Sequence, residues 1–144
     1  MSESFKILKI DDSEKLVFGF ANVSIAKGGK LITDLQNDQI TPNELEKGAY
    51  EYVLTAREAD EMHEGGVVGH LVESMVFTTE KLAALATDPA TGKVDEEGLA
   101  IMKRLIPPRW WVGFKLDTPA FAKVKSGEYT MFSIAGEADV TDAP

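Results

Sequence analysis

The first part of the chain carries two short apolar segments that predict a β-hairpin. In FKILKIDDSEKLVFGFANV, residues 5–23, the polar and turn-forming sequence DDSE separates the two apolar segments. The sequence AKGGK indicates a second turn, and LITDLQNDQI follows it. There Asp34, Asn37 and Asp38 have short polar side chains that bind backbone groups and end strands. This region therefore predicts antiparallel strands.

The sequence TPNELEKGAYEYVLTAREAD, residues 41–60, predicts a helix. Thr41 suits the N-cap, Pro42 suits the first helical position, and Glu44 completes a capping box. Apolar residues recur behind this start at helical spacing and are expected to face the core. They are Leu45, Ala49, Tyr50 and Val53.

The sequence VVGHLVESMVF, residues 67–77, is rich in β-branched residues and predicts a strand. Regular alternation puts Glu73 on one face with Leu71 and Met75, and puts His70 and Ser74 on the other face among valines. Because both faces are largely apolar, the strand is expected to be central and covered on both sides. A carboxylate on such a face needs a histidine or arginine partner.

The rest of the chain predicts three helices and two strands. TTEKLAALATD and DEEGLAIMKRL form helices joined by PATGKV, and TPAFAKVKSGE forms a helix capped by Asp117 or Thr118. IPPRWWVGFKLD enters a strand through two prolines, with the two tryptophans expected in core and surface packing. GEYTMFSIAG forms the last strand. We expect an α+β fold with one domain over residues 1–136 and a flexible acidic tail over residues 137–144.

Composition excludes several classes of function. The 144 residues include 15 Lys and Arg against 24 Asp and Glu, a formal charge of −9 that repels nucleic-acid phosphates and anionic membranes. There is no long apolar run, and the N-terminus lacks the order of a secretory signal, so we expect a soluble cytosolic protein. Cysteine is absent, which excludes disulfides and thiolate chemistry.

The candidate chemistry comes from a small set of polar residues in strand-rich surroundings. No phosphate loop, dinucleotide fingerprint, nucleophile elbow or zinc-protease signature occurs. A serine hydrolase needs a hydroxyl, a base, a group that orients the base, and amide donors for the oxyanion. Residues that can fill these roles are His63, His70, Glu73, Ser74 and Ser133. Their spacing alone does not separate a catalytic serine from a small polar residue on a strand.

A zinc site is the other chemistry that two histidines suggest. His63 and His70, together with Glu64 or Glu73, supply enough ligand types for zinc. However, His63 precedes a Gly-Gly break while His70 lies inside the predicted strand. We therefore expect no metal.

Four motifs in order carry a family resemblance: LVFGFANVS, DLQNDQITPNELEKGAYEYVL, EMHEGGVVGHLVESMVFTTEK and WWVGFKLDTPAFAKVKSGEYTMFSIAG. Over residues 16–136 the chain resembles the XkdF-like family of phage prohead serine proteases. The resemblance implies a compact, mainly antiparallel barrel-like β-sheet flanked by helices, similar to the herpesvirus assemblins. It also implies that the chain processes scaffold and major capsid proteins inside the assembling procapsid, in the cytoplasm of the bacterial host.

The resemblance implies a role for two residues and leaves a third open. The serine of FSIAG, Ser133, is the implied nucleophile, and the histidine of MHEGG, His63, is the implied general base. It does not identify the third member of the triad, for which Glu73 is the preferred acid and His70 the alternative. It implies no cofactor, and it leaves open whether the chain forms a homo-oligomer.

One departure from the family pattern supports an alternative function. The family pattern after the serine is similar to SIGG, whereas this chain has Ala135. Alanine does not reach positive φ as glycine does, so an oxyanion donor here is aimed differently. The alternative is a catalytically silent assembly module that keeps the protease fold and binds scaffold or capsid protein.

Overall fold

The fold is built around a six-stranded antiparallel β-barrel with four helices. The computed structural model describes residues 4–22, 24–25, 31–32, 41–60, 66–106 and 108–135. The strands in these ranges are β1 Ser4–Lys6, β2 Lys9–Asp11, β3 Leu16–Asn22, β4 Ser24–Ile25, β5 Leu31–Ile32, β6 Glu58–Asp60, β7 Val67–Val76, β8 Trp110–Leu116 and β9 Met131–Ala135. The helices are α1 Pro42–Thr55, α2 Thr79–Leu85, α3 Glu96–Leu105 and α4 Thr118–Lys125.

The barrel strands follow the order β1-β9-β6-β7-β8-β3, and pairing between β1 and β3 closes the ring. Every strand pair is antiparallel. Strand β2 extends the sheet from β3, and β4 pairs with β5 in a separate ribbon. This architecture confirms the expected α+β class with a barrel-like antiparallel sheet.

The barrel interior holds the hydrophobic core. Aromatic rings from three strands fill it: Phe5 stacks on Phe114 at 5.1 Å and on Phe132 at 5.9 Å between ring centroids. Trp110 is fully buried there, whereas Trp111 stacks on Phe18 on the outer face. The two tryptophans therefore pack as expected, one in the core and one at the surface.

The predicted N-terminal hairpin is present as β2 and β3, with β1 pairing on the other end of β3. At Gly19, strand β3 passes very close to the backbone at the end of β1. A Cβ atom at Gly19 would collide with the backbone carbonyl oxygen of Lys6. Because a backbone atom cannot move aside as a side chain can, this crossing requires glycine.

Helix α1 begins as predicted but ends earlier. Thr41 is the N-cap, and its capping box with Glu44 is complete. The core face differs from the prediction, because Tyr52 is 2% exposed whereas Tyr50 is 52% exposed. Residues 57–60 are not helical: Arg57 has a φ of 57°, and β6 follows it directly.

The other three helices lie where the sequence predicts them, and Asp117 is the N-cap of α4. The cap is explicit, since the Asp117 carboxylate accepts a hydrogen bond from the Ala120 amide at 2.8 Å. Within the described ranges, none of the helices has the length and apolar character needed to cross a membrane.

Strand β7 contains a bulge that changes which side chains face inward. Leu71 pairs with Phe114 and Glu73 pairs with Gly113, so Val72 is an extra residue without a partner. Leu71 therefore points inward with Phe114, and Glu73 points outward. The prediction that Glu73 shares the face of Leu71 was wrong, because regular alternation does not continue through a bulge.

The expected cover on both sides of β7 was also wrong. Its outer face is open to solvent, with Val67 and Val72 about half exposed. A barrel buries one face of each strand, and these two valines lie on the face that the core does not cover. Apolar residues on both faces of a strand therefore did not indicate burial on both faces here.

Candidate active site

Ser133 lies on the outer face of the barrel, in the middle of β9. Its neighbours Phe132 and Ile134 are 0% and 2% exposed and point into the core. Since side chains alternate along a strand, the Ser133 hydroxyl points outward, and the residue is partly exposed. The Ser133 hydroxyl therefore lies on the opposite side of the strand from the core.

A row of paired residues crosses the sheet at Ser133. Ser133 is directly opposite Ser4 of β1 on one side and Asp60 of β6 on the other. Beyond them, Ser4 pairs with Asn22 and Asp60 pairs with Val67. Directly opposite residues share a face, with Cβ atoms about 4.5–5.5 Å apart. The nucleophile candidate thus has a hydroxyl and a carboxylate as its two cross-strand neighbours.

Asp60 is the charged residue of this row, and the surroundings of its carboxylate are unusual. Its Oδ1 atom is buried and has no hydrogen-bond donor among the residues that the structure describes. Burial raises the pKa of the Asp60 carboxyl, and the negative charge of Glu58 raises it further. A buried carboxylate oxygen without a donor is rare in folded proteins and is often associated with a functional site.

A buried tyrosine holds the strand that carries Asp60. The Tyr52 hydroxyl of α1 donates a hydrogen bond to the carbonyl oxygen of Glu58. Burial raises the pKa of Tyr52 well above its usual range, and the Asp60 charge adds to this shift. Tyr52 therefore stays protonated and remains a hydrogen-bond donor to β6.

Only one of the two histidines, His70, lies within the described residues. His63 lies outside the described residues, between β6 and β7 in the sequence. His70 is exposed on the outer face of β7, opposite Glu58 and Lys115. Its position is two strands away from Ser133 in the sheet order.

Glu73 does not lie next to Ser133. Strand β6 separates β7 from β9, and the row of Ser133 meets β7 at Val67. Glu73 is six residues further along β7, but two of these residues are bulge positions, so four pairing steps separate it from Val67, or about 13 Å at 3.3 Å per step. Its exposed carboxylate accepts a hydrogen bond from Trp111 Nε1 at 3.1 Å, so its partner is an indole rather than the expected cation.

Ser74 occupies a structural position. It pairs with the buried Val112 and faces inward, and its hydroxyl accepts a hydrogen bond from Trp110 Nε1 at 2.9 Å. The Ser74 hydroxyl therefore has a structural role as the acceptor for a core tryptophan.

A cavity of about 310 Å³ opens near the far end of the Ser133 row. Its lining includes Asn22, which is two strands from Ser133, or about 10 Å at the usual strand spacing. Leu45 of α1 and Trp110 of β8 form apolar walls, and Arg109 lies at its rim with the guanidinium over the Phe20 ring.

The sequence pattern does not single out Asp60, because the predicted helix runs to residue 60. The useful signal was the change of pattern after Thr55, where the polar sequence AREAD has no helical apolar spacing. A carboxylate three residues before the histidine of MHEGG was a second signal.

The comparisons agree with the sequence motifs. A family model described as "Putative phage serine protease XkdF" matches residues 4–142. The chain therefore belongs to this family of phage proteins. This membership confirms the resemblance drawn from the motifs.

Two curated proteins of Bacillus subtilis (strain 168) are similar to the chain. One is "Uncharacterized protein YqbD", 28% identical over 137 residues, which are 94% of this chain and 35% of that protein. The other is "Phage-like element PBSX protein XkdF", 28% identical over 131 residues, which are 90% of this chain and 39% of that protein. The chain thus spans little more than a third of either relative. No solved structure gives a significant match.

Proposed function

We propose that the chain is a serine endopeptidase of phage head maturation, with Ser133 as nucleophile and His63 as general base. One observation carries the proposal: Ser133 is an outward-facing serine on a barrel strand, directly opposite Asp60, whose Oδ1 has no hydrogen-bond donor within the described ranges. Membership in a family described as phage serine proteases supports it. A rigid strand suits a nucleophile because it fixes the direction of the hydroxyl.

In the proposed mechanism, the Ser133 oxygen attacks the scissile carbonyl carbon while His63 accepts the hydroxyl proton. The C–N bond of the tetrahedral intermediate then breaks, and His63 returns the proton to the leaving amine. Water attacks the resulting ester, with His63 again as base, and releases the acid and free Ser133. No cofactor takes part in these steps.

Chain connectivity supports His63 as the base. His63 is three residues after Asp60, which pairs with Ser133, and three residues span at most about 11 Å. His70 is fixed on β7, two strands from Ser133, and pairs there with Glu58. The connection to Asp60 therefore favours His63 over His70.

The proposed mechanism does not use Glu73. It lies about 13 Å along β7 from the Ser133 row and two strands from Ser133, which is too far for contact with an imidazole at the serine. Its hydrogen bond to Trp111 gives it a structural role on the outer face.

The proposed substrates are the scaffold and major capsid proteins of the same phage, cleaved inside the procapsid in the host cytoplasm. The cavity lined by Asn22, Leu45 and Arg109 supports a peptide substrate, because its volume of about 310 Å³ is large enough for one side chain. Its distance of about 10 Å from Ser133 matches about three residues of extended peptide.

The test is co-expression of the chain with the phage scaffold and capsid proteins, followed by gel electrophoresis. We expect cleavage by the wild type and by Ser74→Ala, and none by Ser133→Ala. Loss of one hydroxyl from the outer face should leave the fold intact. Equal cleavage by Ser133→Ala would refute the nucleophile. Binding without cleavage by any variant, the wild type included, would instead support the silent assembly module.

A further inference from the structure

We infer that Asp60 is the positioning residue of the proposed active site, holding the His63 imidazole and stabilising its protonated form. The inference rests on the proposed function and extends it to a residue that the family resemblance leaves open. It starts from the location of Asp60, directly across the strand pair from Ser133. This pairing brings the carboxylate to the same face as the hydroxyl, within about 5 Å between Cβ atoms.

The carboxylate of Asp60 lacks the donor that its burial requires. Oδ1 is buried and accepts no hydrogen bond from any residue in the described part of the chain. The titratable groups of the described residues that influence it are Glu58 on its own strand and the Tyr52 phenol of α1. On β9 it faces Ser133, and on β7 it faces Val67. None of these groups supplies a positive charge.

Tyr52 does not satisfy Asp60, because its hydroxyl is already bound to the Glu58 carbonyl. This hydrogen bond holds strand β6 through its backbone, and it leaves Asp60, two residues further on the same face, available to bind another group. A buried carboxylate oxygen without a donor raises the free energy of the resting protein. The same carboxylate becomes stabilising when a cation forms beside it.

The proposed reaction forms such a cation. When Ser133 attacks, its proton moves to His63 and creates an imidazolium, three residues from Asp60 in the chain. A carboxylate that is poorly paired at rest and well paired in the transition state lowers the barrier, because the interaction is stronger there than in the ground state. Asp60 thus acts through the histidine and does not touch the substrate.

The test is an NMR titration of the two histidine side chains in the wild type and three variants. His70→Asn assigns the two imidazole signals. We expect Asp60→Asn to lower the titration midpoint of His63 by about one pH unit, since it removes the neighbouring negative charge. Glu58→Gln, which removes the same charge from the same strand, should shift it by less than a third of that amount.

A parallel measurement follows the rate of Ser133 labelling by a fluorophosphonate probe, read by mass spectrometry. Asp60→Asn should slow labelling about 100-fold or more, with Glu58→Gln close to wild type and Asp60→Glu partly restored.

Unchanged His63 titration in Asp60→Asn would overturn the role of Asp60, even if Ser133 is labelled. Absent labelling of the wild type, with the His63 shift present, would refute the protease and leave the pairing of Asp60 with His63 supported. Thermal melting checks that each variant is folded.

Discussion

At the scale of single residues, the pair of Ser133 and Asp60 is the central feature of the molecule. Neither side chain contributes to the core, and neither has a hydrogen-bond partner among the described residues. Their neighbours Phe132, Ile134 and Ala59 are all buried and fix the backbone of both strands. The barrel therefore holds two polar side chains at a defined spacing on its outer face, while the buried residues of the inner face form its core.

Replacement of Asp60 by asparagine is expected to stabilise the fold at about pH 8, where the imidazoles are neutral. Burial raises the pKa of the Asp60 carboxyl above its ordinary value of 3.8, so the folded chain loses stability as pH rises through this raised pKa. Asparagine avoids the buried charge, and we expect a gain of about 1 kcal/mol, or about 3 °C in Tm.

The difference between the two proteins should shrink as pH falls toward 3.8, because protonated Asp60 carries no charge. Calorimetry at several pH values measures it, and Glu128→Gln on the exposed surface serves as the control. A wild type that is more stable than Asp60→Asn at about pH 8 would contradict this expectation.

The sequence led to Ser133 but not to Asp60, for a physical reason. The outward position of Ser133 can be predicted because side chains alternate along a regular strand. Phe132 and Ile134 face inward, so Met131 and Ser133 face outward. Asp60 became visible only through a strand pairing with a residue 73 positions away in the chain. Such pairing depends on the whole barrel and has no local pattern.

At the scale of secondary structure elements, the short segment between α1 and β6 connects the helix to the candidate site. Helix α1 ends at Thr55, and Arg57 takes a positive φ before β6 starts at Glu58. The Tyr52 hydroxyl spans this turn and binds the Glu58 carbonyl. One side chain of the helix therefore sets the position of the strand that carries Asp60.

Tyr52→Phe should destabilise the protein by about 1–3 kcal/mol, because the buried Glu58 carbonyl loses its donor. Tyr50→Phe is the matched control: it lies on the same helix, is exposed, and donates only to Glu46 at its surface. Its effect should stay within about 0.5 kcal/mol. Urea unfolding of the three proteins provides the measurement, and similar losses for both variants would argue against the role of Tyr52.

Helix starts were predicted more accurately than helix faces and ends. The caps Thr41 and Asp117 are local signals, since an N-cap binds amides two or three residues away. The exposure of Tyr50 and the burial of Tyr52 depend on which side of α1 meets the barrel. Tertiary packing decides which of the two tyrosines is buried. Their sequence spacing is compatible with either one facing the core.

At the scale of the whole molecule, the closed barrel puts the Ser133 row and the cavity on connected strands. Pairing of β1 with both β3 and β9 links Asn22 at the cavity to Ser133 through Ser4. An extended peptide bound across these strands would reach from the cavity to the hydroxyl. The fold thus puts the proposed nucleophile and the proposed binding cavity on connected strands.

Leu45→Trp, which fills the cavity, is expected to lower kcat/KM for scaffold or capsid cleavage at least about 10-fold. Labelling of Ser133 by a small fluorophosphonate should change little, since the probe does not need the cavity. Leu54→Trp on the exposed side of α1, where Leu54 is 73% exposed, is the control and should cleave normally. Normal cleavage by a folded Leu45→Trp variant would show that the substrate binds elsewhere.

The unpaired Val72 in β7 also has a consequence for how relatives of this chain are aligned. If Val72 is removed, Leu71 still faces inward, Glu73 outward and Ser74 inward, so a chain one residue shorter keeps every other side chain on its face. A relative without the bulge would therefore match this chain across a one-residue gap in the middle of a strand. Alignment methods that confine gaps to loops would instead shift all residues on one side of Val72 by one position and mismatch the inward and outward faces.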